Sequence, residues 1–183
     1  AEVYRKWWMK RLAVLGASGH GKVIAEIALA SGWGEVLFYD DAWPSKRVNG
    51  QWAIVGTSKD LLSQYEQCSS VFVAIGNNAV RNDKSTKLIQ SGFELVSLIH
   101  PTALVSANVL IGKGVAIMPG AIVNVDSKLG DGVIVNTGAC IDHDCILGAY
   151  CHVSPNSSIA GGVNLGVSSW IGIGSTIIQC ISV

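Results

Sequence analysis

Asp142-His143-Asp144-Cys145 places an imidazole between two carboxylates and beside a thiol. Flanking carboxylates favour the protonated imidazole by plain attraction. The ordinary histidine pKa, about 6.5, already suits a general base at neutral pH. Two reactive readings are open. His143 can take a proton from an attacking nucleophile while an N–H elsewhere holds the developing oxyanion. Cys145 can instead accept an acyl group itself. The bland alternative is a surface histidine in a polar turn beside a small buried cysteine.

A second group lies near the start of the chain. Gly16-Ala17-Ser18-Gly19-His20-Gly21-Lys22 joins an apolar run to a helical one. As a Walker-type loop it has the spacing G-x4-G-K, but Val23 stands where a serine or threonine would bind magnesium. As a dinucleotide fingerprint its glycines fall in the wrong order. There remain a strand-to-helix turn whose amides and dipole hold a phosphate, and a tight turn with no ligand. Asp40-Asp41 and Gly76-Asn77-Asn78 follow two further apolar runs. Ligands of open α/β sheets lie beyond the carboxyl ends of the strands. The three polar turns therefore converge on one crevice suited to a nucleotide.

These residues need elements to position them. In the first half, apolar runs predict strands at 11–16, 35–39, 53–55, 71–75 and 93–99. Helices are predicted at 21–31, at 57–65 with Thr57 or Ser58 as its cap, and at 77–90. Strands alternating with helices imply a Rossmann-like parallel sheet.

The second half follows a different rule. Every sixth residue from Ile99 to Val183 is Val, Ile or Leu, and the position two before it is small at Ala103, Ala121, Ser127, Ala139, Cys145, Cys151 and Ser157. A strict period of this kind marks a repeat architecture. Each hexad is one short strand and one sharp turn, and three hexads close a triangular coil with the aliphatic residue inside. Coils stack about 4.8 Å apart. Gly112, Gly130, Gly148 and Gly166 recur every 18 residues, which places a conformationally permissive residue at one corner of each coil. The chain is thus an α/β half followed by a parallel β-helix. His143, two residues past inward Ile141, is expected outside, near a corner.

Composition narrows the function. Thirteen Lys and Arg balance thirteen Asp and Glu, which argues against a nucleic-acid binder. No apolar run reaches the roughly 18 residues of a membrane span. Five cysteines without a CxxC pair argue against a disulfide framework or zinc site and suit a reducing cytoplasm. Residues 1–8, before Met9, read as an appended remnant or the tail of something upstream.

Six stretches in order carry a family resemblance: GASGHGK (16–22), YDD (39–41), AIGNNAVR (74–81), LIHPTALVS (98–106), NTGACIDHDC (136–145) and HVSP (152–155). From Met9 onward the chain resembles the sialic-acid-acetyltransferase type of sugar acetyltransferase. Within that type it is most similar to bacterial enzymes of glycan biosynthesis that N-acetylate a UDP-4-amino-4,6-dideoxy-sugar. The resemblance implies a nucleotide-sugar-binding domain over 9–98 and an acyltransferase domain over 99–183. The latter would be a left-handed β-helix, against the usual crossover hand. His143 would be the general base and Asp144 its orienting acid, where close relatives often carry Glu. Asn136 would contact the sugar or acetyl region, His152 would line the acetyl-CoA site, and the Gly161 amide would donate to the thioester oxygen. Gly19, His20, Asp40, Asp41, Gly76, Asn77 and Asn78 would hold the nucleotide, with Asp41 facing uridine.

Acetyl-CoA would be the co-substrate, with no metal and with direct transfer rather than an acyl-Cys145. The implied assembly is a homotrimer, with His143 of one subunit meeting His152 and Gly161 of its neighbour. Relatives of this type continue for roughly one more coil, so the resemblance also implies an incomplete second half and weak acetyl-CoA binding. Sialic acid O-acetylation and GDP-amino-sugar N-acetylation are neighbouring alternatives. A non-catalytic scaffold is the alternative of another class.

Overall fold

The computed structural model describes residues 10–64, 68 and 70–183. Residues 1–8, Met9 and the end of the predicted 57–65 helix at Tyr65 lie outside the described residues. The first domain contains β1 (Arg11–Leu15), α1 (Gly19–Ala30), β2 (Glu35–Tyr39), β3 (Val48–Asn49), β4 (Trp52–Gly56), α2 (Ser58–Leu62), β5 (Ser70–Val73), α3 (Asn78–Gln90) and β6 (Glu94–Leu95). Its sheet runs β3-β4-β2-β1-β5-β6, parallel except for the β3–β4 hairpin. The β3 strand escaped the sequence reading because two residues carry no periodicity. Thr57 caps α2 as expected, in a capping box with Asp60.

Several boundaries moved, α2 for instance ending at Leu62, and two of the changes bear on the sites. Helix α1 begins at Gly19 rather than Gly21, so Gly19 and His20 form its first turn instead of a loop. The predicted 93–99 strand is two strands: β6 closes the first sheet, and β7 (Leu98–Ile99) is the first rung of the β-helix. Ser97 makes the break, accepting from Val115 N at 3.0 Å and donating to Gly112 O at 2.7 Å.

From β7 onward, two-residue strands pair in parallel with partners 18 residues away, as Ile117 does with Val135 and Val153 does with Ile171. They form three faces. The first holds Leu98–Ile99, Ala116–Ile117, Ile134–Val135, His152–Val153 and Trp170–Ile171. The second runs from Leu104–Val105 through Cys140–Ile141 to Thr176–Ile177, and the third from Leu110–Ile111 to Asn164–Leu165. The sixth-residue aliphatics from Ile117 to Ile171 fill the interior together with Ala121, Ala139, Cys145 and Cys151. Outward Leu98, Ala116 and Ile134 pack with Ile24, Ile27 and Ala28 of α1, so the first domain covers the first face.

The glycine column has a different cause from the one expected. Gly112, Gly130, Gly148 and Gly166 are absent from the left-handed region. A Cβ on Gly130 would stand 2.7 Å from Ala149 N, and one on Gly148 2.7 Å from Val167 N, so close approach of successive coils demands glycine. The left-handed positions instead recur every six residues from Gly114 to Cys180, through Gly120, Asp126, Gly132, Gly138 and Asp144.

Candidate active site

Asp144, at φ 58°, makes the tight corner between the second and third faces and turns His143 outward. His143 Nδ1 and Asp144 Oδ2 are 2.7 Å apart, with both side chains more than half exposed. On the other side Asp142 Oδ1 accepts from His143 N at 2.8 Å and from Asn124 Nδ2 at 3.0 Å. The Asp144 hydrogen bond, and then the Asp142 charge, raise the His143 pKa above its ordinary value.

Gly161 lies one coil on. A Cβ there would meet His143 Cε1 at 2.6 Å and Nε2 at 2.7 Å, so the imidazole rests on bare glycine backbone. Along this column a side-chain oxygen can occupy the outward amide, as Asp142 does for His143. Ala160 precedes Gly161 and offers no such oxygen. Among the described residues the Gly161 N–H has no acceptor. Asp142, His143, Asp144, Gly161, Gln179 and Cys180 line an open cleft of about 460 Å³. Gly161 thus meets His143 of its own chain, which corrects the expectation that a neighbour supplies it.

Cys145 is fully buried, and burial raises its thiol pKa. A protonated, inaccessible thiol is a poor nucleophile.

His152 faces outward on the first face yet is buried at 8% exposure, under the first domain. Its Nε2 lies 3.1 Å from Asn136 Nδ2, and its ring stacks on Trp170 with centroids 5.3 Å apart. Burial first, then the Arg81 charge, push its pKa down to about 4. His20, in the first turn of α1, is also lowered to about 4, by burial, then His152, then Arg81. Asn136, His152 and His20 therefore gather at the seam between the domains, away from the His143 corner.

The nucleotide residues divide. Gly16, Ser18, Asp40, Asp41, Gly76 and Lys84 are among those lining a cleft of about 320 Å³ at the carboxyl ends of the strands. Gly16 needs its freedom here, at φ 108° with Ala74 O only 2.8 Å from a would-be Cβ. Asp40 braces the loop, accepting from Ala17 N at 2.7 Å and Ala42 N at 2.9 Å. Asp41 accepts from Ser58 N at 2.8 Å and Lys84 Nζ at 2.9 Å. Ser58, then Lys84, lower its pKa to about 2.

Gly19, His20, Asn77 and Asn78 do not line this cleft. Asn77 caps α3 through Val80 N, and Asn78 Nδ2 reaches Ser168 O at 3.0 Å on the β-helix. Sequence reasoning missed Lys84, Trp170, Gln179 and Cys180. Counting 18 residues on from His152 and Gly161 would have found Trp170 and Gln179, since that step leads to the same place on the next coil.

Residues 11–88 match the family described as the PglD N-terminal domain. The chain is 40% identical to the acetyltransferase domain of PglB from Neisseria gonorrhoeae, solved with acetyl coenzyme A, at a TM-score of 0.90 and covering 95% of this chain and 84% of that one. The chain belongs to the hexapeptide-repeat amino-sugar N-acetyltransferases. Its β-helix is the left-handed coil of that family. PerB from Caulobacter crescentus, solved with CoA and GDP-perosamine, is 36% identical at a TM-score of 0.83, covering 93% of this chain and 90% of that one. A curated relative, UDP-N-acetylbacillosamine N-acetyltransferase of Bacillus subtilis, is 34% identical over 113 residues, 60% of this chain. That match spans about half of the curated relative, 52%. Among the described residues no cluster of His, Cys, Asp or Glu could hold a metal, and no helix is long and apolar enough to cross a membrane.

Proposed function

We propose that this protein transfers the acetyl group of acetyl-CoA directly to the amino group of a nucleotide-linked 4-amino-4,6-dideoxy-sugar. UDP is the preferred nucleotide and GDP the alternative. The observation that carries the reading is the exposed corner where a carboxylate-held imidazole stands over a free glycine amide. Asp144 engages Nδ1 of His143, leaving Nε2 to act as the base. The substrate amine attacks the thioester carbonyl, and the Gly161 N–H donates to the oxyanion. His143 takes the amine proton, the carbon–sulfur bond breaks, and the proton passes to the departing CoA thiolate.

His143 stands at the corner between the second and third faces, across the prism from the face that the first domain covers. Its own nucleotide cleft is lined by first-domain residues alone, and its Ile75–Gly76 turn meets the β-helix, through Arg81, at the corner between the third and first faces rather than at the His143 corner. This supports a homotrimer in which the sugar held by one subunit meets His143 of a neighbour.

Release of CoA thiol from acetyl-CoA, measured against a panel of UDP- and GDP-amino-sugars and sialic acid, tests the reading. Turnover is expected on an amino-sugar, and His143→Ala is expected to lower it about 100-fold or more with little change in melting temperature. A folded protein active on none of the panel would return it to the scaffold class.

A further inference from the structure

Among the described residues Arg81 is the largest fully buried side chain, at 1% exposure. A guanidinium has five N–H donors in a fixed planar fork, and here all five are used across both domains. Nε donates to Gly132 O at 2.9 Å, and Nη1 donates to Ile75 O and Gly76 O, each at 3.0 Å. Nη2 donates to Asn78 Oδ1 at 2.9 Å and Tyr150 O at 2.8 Å, with Cys151 O at 3.5 Å. No carboxylate is among these acceptors.

A buried cation without a counterion is costly, and an apolar side chain would join two domains at lower cost. What the guanidinium adds is geometry, because a rigid fork sets several acceptors at once. Its acceptors belong to two functional places. Ile75 and Gly76 line the nucleotide cleft. Tyr150 and Cys151 lead directly into the His152 rung.

We infer that Arg81 is a positioning residue that locks the nucleotide-binding turn of the first domain in register with the His152 rung of the β-helix. A sugar nucleotide seated in the cleft is thereby presented at one fixed height on the prism. The consequence for catalysis rests on the acetyl-transfer reading. The mechanical lock does not.

Three variants test it. Arg81→Lys keeps the charge but loses the fork, and guards against an Arg81→Met that fails to fold. Leu98→Ala is the control, since Leu98 is buried in the same seam and touches neither turn through a polar group. Reactive groups misplaced by about an ångström lose as much as 100-fold in rate. Arg81→Lys should therefore lower kcat about tenfold or more and weaken UDP or GDP binding in calorimetry. Hydrogen exchange should quicken at amides 74–80 and 150–154 together. Leu98→Ala, compared at an equal loss of melting temperature, should keep kcat within about twofold of wild type and protect both turns. Equal losses in the two variants, or an Arg81→Lys with wild-type protection at both turns, would overturn the inference. A wild-type protein without turnover on any amino-sugar refutes the functional reading instead. Exchange and nucleotide binding then still decide the role of Arg81.

Discussion

His143 and His152 are both outward-facing histidines of one β-helix, yet their surroundings push them in opposite directions. His143 is exposed with carboxylates on either side, which raises its pKa. Burial first, and then the nearby Arg81 charge, push the His152 pKa down to about 4. A general base works only when neutral, so activity should fall as pH drops through the raised His143 value. Replacing Asp144 by Asn removes the largest cause of the raise and should move that acid limb to lower pH, read from kcat/KM against pH. An unchanged limb would separate Asp144 from the base.

For folding, the lowered values of His20 and His152 set the sign. Between an unfolded pKa of about 6.5 and a folded value of about 4, the unfolded chain binds more protons. The two groups contribute stability above that range and lose it as pH falls through it. Melting temperature should drop from pH 6.5 toward 4, and His152→Gln should flatten the slope.

Among the elements, two glycines of the same repeat serve different ends, and alanine distinguishes them. A Cβ at Gly161 strikes the movable ring of His143, whereas a Cβ at Gly130 strikes the backbone of Ala149. Gly161→Ala should cost about tenfold or more in kcat with melting little changed. Gly130→Ala should destabilise by about 1–3 kcal/mol, seen by denaturant titration, with catalysis intact in the folded fraction.

The same contrast shows what the sequence made legible. The interior was readable because one rule, an aliphatic every six residues, fixes both burial and turn. His143 could be placed because it lies two residues past inward Ile141. The purpose of Gly130 could not be read, since clearance between coils depends on residues 18 away in sequence. Asn77 and Asn78 looked like part of a ligand turn because a cap and a domain strap have the same composition as one. Arg81 and Lys84 lie on a helix whose other charges are solvated, so nothing local sets them apart.

At the scale of the whole molecule, the covered first face and the opposite His143 corner fit the proposed trimer, in which one chain alone would be an incomplete catalyst. Mixing chains exposes this. In a trimer whose sites take His143 from one subunit and His152 from the next, His143→Ala and His152→Ala chains complement each other. Equal co-expression should restore about a quarter of the sites, because one of the four equally frequent pairings at an interface carries both histidines. Activity no greater than that of the separate variants would place both residues of each site in one subunit.

The three-hexad coil also dictates which length changes the chain can survive. Each later residue keeps its face and corner only if a preceding insertion or deletion is a multiple of 18, the step that separates paired strands such as Val135 and Val153. Losing a single hexad upstream would leave the apolar interior in phase. It would also rotate everything after it by one face, carrying His143 from the open corner to one flanking the covered first face. Such a protein would keep an apolar interior yet lose its catalytic corner, and the shift would also disturb the contacts, such as Tyr150 O with Arg81, that join the β-helix to the first domain. Natural length variation among functional relatives should therefore come in whole coils before this corner, while hexad-sized changes are tolerated only beyond the last residue of the site.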